Sequence, residues 1–431
     1  MKKAVFSLLL LAVGVGSFAQ KLDKIKDLEK NKKYEDAKAQ IDQYLAVEKN
    51  AKDQDGWYTK SKIYNDLAAD SSISSKYPTA RVDAFDALKK YISLEDPKKD
   101  EKGKYLQLQL DNYKPIMDIY QGYFKSGAAA YNKGAYKEAY PNFQKCLEAG
   151  AYMFENKWST VSLDTNVVLY AGISAEKANL KDDAANYYAK LADAKVHGEG
   201  MDQIYKWLVV YYADKKDDAN MTKYIGLGKQ VYPTDSFWES YELDYLREKG
   251  DKQALFNKYK EMIAKYPDSS SYKFNYAVEL YQEAYKADVA TRPANSDALI
   301  TEAQDNFKKA LALKPNWAQP NLVLGQISYN QGVDLNAKAK TIKPGAAGKL
   351  TPDQIKQKAA IRDEMNKKFD EAIPYFEKVD QILSGQGKLK MDDKSALKDA
   401  LDLLVTIYDQ KGDKDKMKVY EDKFNNVDKQ H

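Results

Sequence analysis

Few residues in this sequence have the types and spacing that chemistry would require. Histidine is almost absent: the chain has only His197 and His431, the latter at its last position, so no histidine-based metal cluster or zincin motif can be written. Cys146 is the single cysteine, and with His197 it makes the sole possible thiol dyad. Two glycine motifs fall short of nucleotide chemistry. In Gly345-Ala-Ala-Gly348-Lys349-Leu350 the glycines are too close, and no Ser or Thr follows the lysine to reach a magnesium ion, as a phosphate loop needs. Gly226-Leu-Gly228-Lys229 lies inside a helical pattern and follows no strand, so it is no dinucleotide fingerprint. The carboxylate pairs Asp182-Asp183 and Asp217-Asp218 stand where helices open, and acids there favour the positive end of the helix dipole. The residues thus point away from an enzyme and predict no catalytic residue, no cofactor and no metal.

The elements that would position any site are helices. Hydrophobic residues make up 44% and charged residues 31% of 431 positions, enough apolar surface to fold and too patterned for disorder. The 12 prolines and 21 glycines fall at intervals, as turns between helices require. Tyrosine, with 34 copies, outnumbers Phe and Trp together, and most copies sit in helical patterns as packing residues with a polar tip. Lys and Arg total 68 against 64 Asp and Glu, and the two signs are interleaved, so no stripe could track a phosphate backbone and no nucleic acid is expected as partner.

The first residues read as an export signal. Lys2 and Lys3 form a positive region, Ala4 to Val15 an apolar run, and Ser17-Phe18-Ala19 places small residues before Gln20 for cleavage. About twelve helical residues span roughly 18 Å, short of a ~30 Å hydrocarbon core, so this segment is not expected to be a membrane span. Gln20 stands where a lipoprotein would carry cysteine, so no lipid anchor is expected, and one cysteine cannot form an intrachain disulfide. The chain is expected in the periplasm or outside the cell.

A repeat near 34 residues runs through the rest. Pro233 and Pro267 lie 34 apart, each after a tyrosine that closes an amphipathic stretch. Between them the spacing predicts a helix from about Ser236, a turn at Lys249-Gly250-Asp251, and a helix from Lys252 to Lys265. In the run from Ala303 to Pro315, Ala303, Phe307, Ala310 and Pro315 recur at the spacing of a second helix. Asn321 to Gly332 carries Leu324-Gly325, Tyr329 and a turn glycine, Gly332, as a first helix would. Gly127, Tyr131, Gly134, Ala139, Phe143 and Cys146 repeat the scheme, as do Phe369, Ala372, Phe376 and Val379. Small residues let two helices approach closely, and the large residue four positions on fills the groove between them. A single pair cannot stand alone, because isolated helices of this length are marginal in water.

These residues resemble the tetratricopeptide repeat, in the form found in exported bacterial proteins, over nearly all of the chain after its leader. The resemblance implies an all-α, TPR-like α-solenoid, a right-handed superhelix of about nine antiparallel helix pairs. It places Cys146 where the repeat has alanine, so a buried small hydrophobe is expected there rather than a nucleophile. It also implies a concave groove lined by first helices that receives a protein or peptide partner. The groove positions fall on Phe124, Ala128, Tyr131 and Asn132; on Phe274, Val278, Tyr281 and Gln282; and on Leu322, Gln326, Tyr329 and Asn330. Each set joins an aromatic to an amide, a lining that suits an extended chain. The alternative for each tyrosine is packing between adjacent repeats. The Lys and Asn pattern that clamps a C-terminal carboxylate in some cytosolic members is missing.

The expected organisation is a signal peptide over 1–19, N-terminal helix pairs over 20–100, a central array over 101–333, an insertion with an extra or extended helix over 334–368, and C-terminal helices over 369–431. The function this predicts is an exported protein-interaction scaffold or adaptor. The alternative is a carbohydrate-binding envelope protein, since tyrosine-rich surfaces stack on sugar rings.

Overall fold

A computed structural model of the protein describes residues 22–96, 98–99, 103–344 and 348–431. The leader expected over 1–19 lies outside them, as do Gly345 and the two alanines after it. Among the described residues the regular structure is helical throughout, and it divides into two compact units at Asp235 and Ser236.

The first unit is built of helix pairs: α1 (Leu22–Lys30) with α2 (Tyr34–Ala46), and α3 (Gln54–Ala69) with α4 (Ala80–Ser93). After the short α5 (Leu106–Leu110) come α6 (Lys114–Asn132) with α7 (Tyr136–Glu155), α8 (Thr165–Lys177) with α9 (Lys181–Asp193), and α10 (Asp202–Asp214) with α11 (Asp218–Val231). Lys114-Pro115 divides α5 from α6 because proline is tolerated only in a helix's first turn. The second unit pairs α12 (Phe237–Lys249) with α13 (Lys252–Lys265), α14 (Ser270–Ala284) with α15 (Ser296–Leu313), α16 (Ala318–Thr341) with α17 (Pro352–Leu383), and α18 (Met391–Lys411) with α19 (Lys414–Gln430). Each unit therefore has the pairwise stacking of a tetratricopeptide-like α-solenoid.

Local chemistry fixes the ends. Asp164, Asp217, Asp251 and Asp413 each accept a backbone N–H from the first turn of the helix that follows. Gly250 and Gly412 close α12 and α18 in the left-handed conformation, with φ of 72° and 75°, which costs glycine nothing.

Within each pair the small residues do what their spacing predicts. A Cβ on Gly127 would stand 2.9 Å from the Phe143 ring, and one on Gly172 would stand 2.6 Å from the Tyr188 ring. Ala139, Ala184, Ala303 and Ala372 are fully buried beside their large partners.

One boundary differs from the sequence reading. Gly332 is no turn glycine: α16 continues through it to Thr341, and its missing side chain admits the Phe369 ring, 2.6 Å from where a Cβ would be. Of the extra or extended helix expected from Pro352, the structure has the extended one. Thr351 and Gln354 form the capping box, and α17 then runs unbroken through Phe369 and Phe376 to Leu383. Both helices of this pair are extended together because each covers the other's apolar stripe, which neither could bury alone.

Candidate functional site

The groove positions are placed as follows. Phe124 and Tyr131 on α6 face Tyr170 of α8 at 6.4 and 5.2 Å between ring centroids, and Tyr170 stacks on the buried Phe143 of α7 at 5.5 Å. Tyr131 also meets Tyr136 edge to face. These rings thus form one aromatic seam across three helices, and burial raises the Tyr131 hydroxyl above its ordinary range. Ala128 is half-buried on α6, and Asn132, at its last turn, is exposed.

In the second set Phe274 packs against Phe307 and Trp317, 5.6 and 4.6 Å away. Tyr281 stacks on Tyr285 and accepts a hydrogen bond from Asn330 Nδ2 at 2.8 Å, so members of two different sets are brought together. Burial pushes the Tyr281 hydroxyl up to about 12. Arg292 lies 4.2 Å over the Tyr285 ring and pairs with Asp334 of α16 at 2.6 Å, tying the loop before α15 down onto the same network. Val278 is half-buried and Gln282 exposed. In the third set Tyr329 lies against Phe369 at 5.5 Å, Leu322 is buried, and Gln326 is half-buried. Every aromatic of the three sets therefore has a ring neighbour within its own unit.

The thiol dyad does not form. Cys146 is fully buried, directs its sulfur at the Tyr120 carbonyl at 3.4 Å, and is pushed up to about 12 by burial, the opposite of what a nucleophile needs. His197 is exposed in the loop after α9, its Nδ1 3.1 Å from the Lys195 carbonyl.

An open recess of about 560 Å³ lies elsewhere, between α8, α9 and α10 of the first unit. Leu169, Ile173, Tyr188, Met201, Trp207 and Val210 supply its apolar walls. The indole of Trp207 stacks on Tyr211 at 5.1 Å and 10° and meets the Tyr188 ring edge-on at 5.1 Å. Tyr188 is fixed in turn, because its hydroxyl donates to Glu176 at 2.6 Å and its ring fills the space left by Gly172. The start of α10 is clamped by Lys206, which bridges Asp202 and Asp235 at 2.7 and 2.6 Å. Val210 remains 42% exposed although α10 has already buried Ile204, Leu208 and Val209 in the core. A preformed recess with rigid aromatic walls can take an apolar side chain from another molecule.

None of the twelve groove positions lines this recess. The signal was present in the sequence: Leu169 and Ile173 are four apart on a helix whose core stripe is already supplied by Val168, Ala171, Gly172 and Ala175, which leaves an apolar second face.

No protein-family model and no curated protein matches the chain. Solved structures similar to it include a TPR repeats protein from Bacteroides fragilis NCTC 9343, 16% identical, covering 65% of this chain and 97% of that one, with a TM-score of 0.28. The TPR domain of P58(IPK) is 13% identical over 89% of this chain and 97% of that chain, with a TM-score of 0.24. Yeast Tom70 is 11% identical over 94% and 91%, with a TM-score of 0.30. Likeness at this level lends no weight to any function, and the fold rests on the chain's own helix pairs.

Proposed function

We propose that the protein is exported and acts as a non-catalytic adaptor that holds a partner protein, with an apolar side chain of the partner seated against Trp207. The observation that carries this reading is the recess between α8 and α10. These helices leave Leu169 and Ile173 partly exposed and Val210 exposed around a concavity with aromatic walls, which supports contact with an apolar group of a partner. Aromatic walls held by Glu176 and Gly172 give area without loss of side-chain freedom on binding. Export is supported by the Lys2, Lys3 and Ala4–Val15 pattern, and no described helix is long and apolar enough to cross a membrane.

Tagged wild-type protein and a Trp207→Ala variant, each expressed in the native cells and recovered from the envelope, test the proposal. The expected result is one defined protein retained by the wild type and depleted with the variant. Equal recovery with both would refute the role of the recess. Binding to a glycan array without any Trp207-dependent protein would favour the carbohydrate reading instead.

A further inference from the structure

The chain has four arginines, Arg81, Arg247, Arg292 and Arg362, and their surroundings differ. Arg247 pairs with Glu279 and Asp244, Arg292 pairs with Asp334, and Arg362 is exposed to solvent. Arg81, in the first turn of α4, is half-buried, and among the described residues no carboxylate lies within 4.0 Å of its guanidinium. It donates instead to Asn65 Oδ1 at 3.4 Å and to the Ala68 carbonyl at 3.1 Å, both on α3, and the Tyr123 ring lies 5.7 Å away. Two of its five N–H donors are thereby used, by neutral acceptors, and three remain. Burial lowers its pKa, against the smaller opposing pull of Tyr123 and of Asp118, which lies beyond ion-pair distance.

The surroundings hold the guanidinium in place. Gly122 of α6 lies beside it, and a Cβ there would collide with the Arg81 side chain. Arg81 therefore reaches, past a notch in α6, into a recess of about 530 Å³ between α3 and α6. Lys114, Lys125, Asp66 and Asp118 share that recess. Lys114 and Asp118 pair with one another, and Asp66, pushed up to about 6 chiefly by burial and next by Glu29, is still mostly ionised near neutral pH. The three cations of the recess, Arg81, Lys114 and the exposed Lys125, thus outnumber its two carboxylates, Asp66 and Asp118, by one.

We propose that Arg81 anchors a carboxylate of the bound partner segment in the recess between α3 and α6. This rests on the adaptor reading but uses a different recess from that of Trp207. A planar guanidinium with free parallel donors matches a carboxylate in two-point geometry, which a lysine in the same place could not supply. The carboxylate can come from an acidic side chain or from a chain terminus.

The test uses the full-length mature protein labelled with nitrogen-15 in arginine, so that four side-chain Nε–H signals report. Three pentapeptides are titrated in: one capped at both ends with a central glutamate between tyrosines, its capped glutamine counterpart, and the glutamine peptide with a free C-terminus. The glutamate peptide is expected to shift the Arg81 signal and the capped glutamine peptide to leave it in place. A shift with the free-terminus peptide assigns the terminus as a source as well. Arg81→Met and Gly122→Ala are each expected to weaken the glutamate peptide about tenfold. The second variant displaces the guanidinium while keeping the arginine, and helical circular dichroism checks the fold of both. The proposal is overturned if no carboxylate peptide moves the Arg81 signal, or if the capped glutamine peptide moves it equally. Such a result, with a protein partner still dependent on Trp207, would leave the adaptor reading standing. A carboxylate-specific Arg81 shift without any Trp207-dependent partner would separate the two the other way.

Discussion

Glycine to alanine substitutions at two helical positions of the first unit are expected to change stability in opposite directions. Removing a glycine from a helix interior gains about 0.5 to 1 kcal/mol, because the unfolded chain loses freedom. At Gly226, exposed on α11, a Cβ would meet nothing within 4 Å, so Gly226→Ala should realise that gain in full. At Gly172 the Cβ would lie 2.6 and 2.8 Å from two atoms of the Tyr188 ring and 3.3 Å from Tyr187 Cβ. Tyr188 is 3% exposed and held by Glu176, so its ring cannot swing away, and α8 and α9 must separate instead. Overpacking of this kind costs about 1 to 3 kcal/mol, and contacts under 3.0 Å put this one at about 2 to 3, which leaves a net loss of about 1 to 2.5 kcal/mol after the helical gain. A cooperative unit of this size shifts its melting temperature by about 2–4 °C per kcal/mol, so the two variants should melt on opposite sides of the wild type. Thermal melts followed by circular dichroism give the answer. A Gly172→Ala protein as stable as Gly226→Ala would refute the claim that close approach at small residues holds the pairs together.

Other outcomes follow from the same structure. Trp207→Ala should weaken partner binding by about 2 kcal/mol or more, read by calorimetry on the recovered complex, with helical content unchanged. Ala303→Leu should destabilise by about 1 to 3 kcal/mol in urea titrations, since Ala303 is fully buried beside Phe307. For Asp66, whose carboxyl is raised from 3.8 to about 6, the folded state prefers the protonated form. Its ionisation therefore reduces stability as pH rises from about 4 to 6, and Asp66→Asn should stabilise at pH 7 by about 1 kcal/mol, discounted for its solvent contact, with the gain gone at pH 4. Cys146 should resist thiol reagents in the native protein and react on unfolding in denaturant, because it is fully buried and its thiolate is disfavoured.

The sequence made the helix pairs legible where small and large residues alternate at fixed spacing. Ala303 with Phe307 and Ala372 with Phe376 show this, because a helix pair that must approach closely leaves few choices at those positions. Gly332 was misread for a related reason: a glycine that ends a helix and a glycine that admits a ring carry the same letter, and only the partner residue Phe369, 37 positions on, tells them apart. The extension of α17 through Phe369 was half visible, in its capping box, but its length depends on what α16 covers. The candidate site was less legible. Positions transferred by resemblance account for Tyr131, Tyr281 and Tyr329 as first-helix residues, yet rings of that size reach neighbouring helices, so position alone does not say what they touch. Trp207 belongs to none of the repeat copies read from the sequence. Arg81 acquires its meaning from Asn65 and Gly122, residues of two other helices that no spacing rule connects.

Hydrogen exchange on the protein alone and on the complex recovered with its partner bears most directly on the adaptor reading. Slowed exchange should appear in α8 and α10, around Leu169, Ile173, Trp207 and Val210. Protection confined to other helices, with these two unchanged, would contradict it.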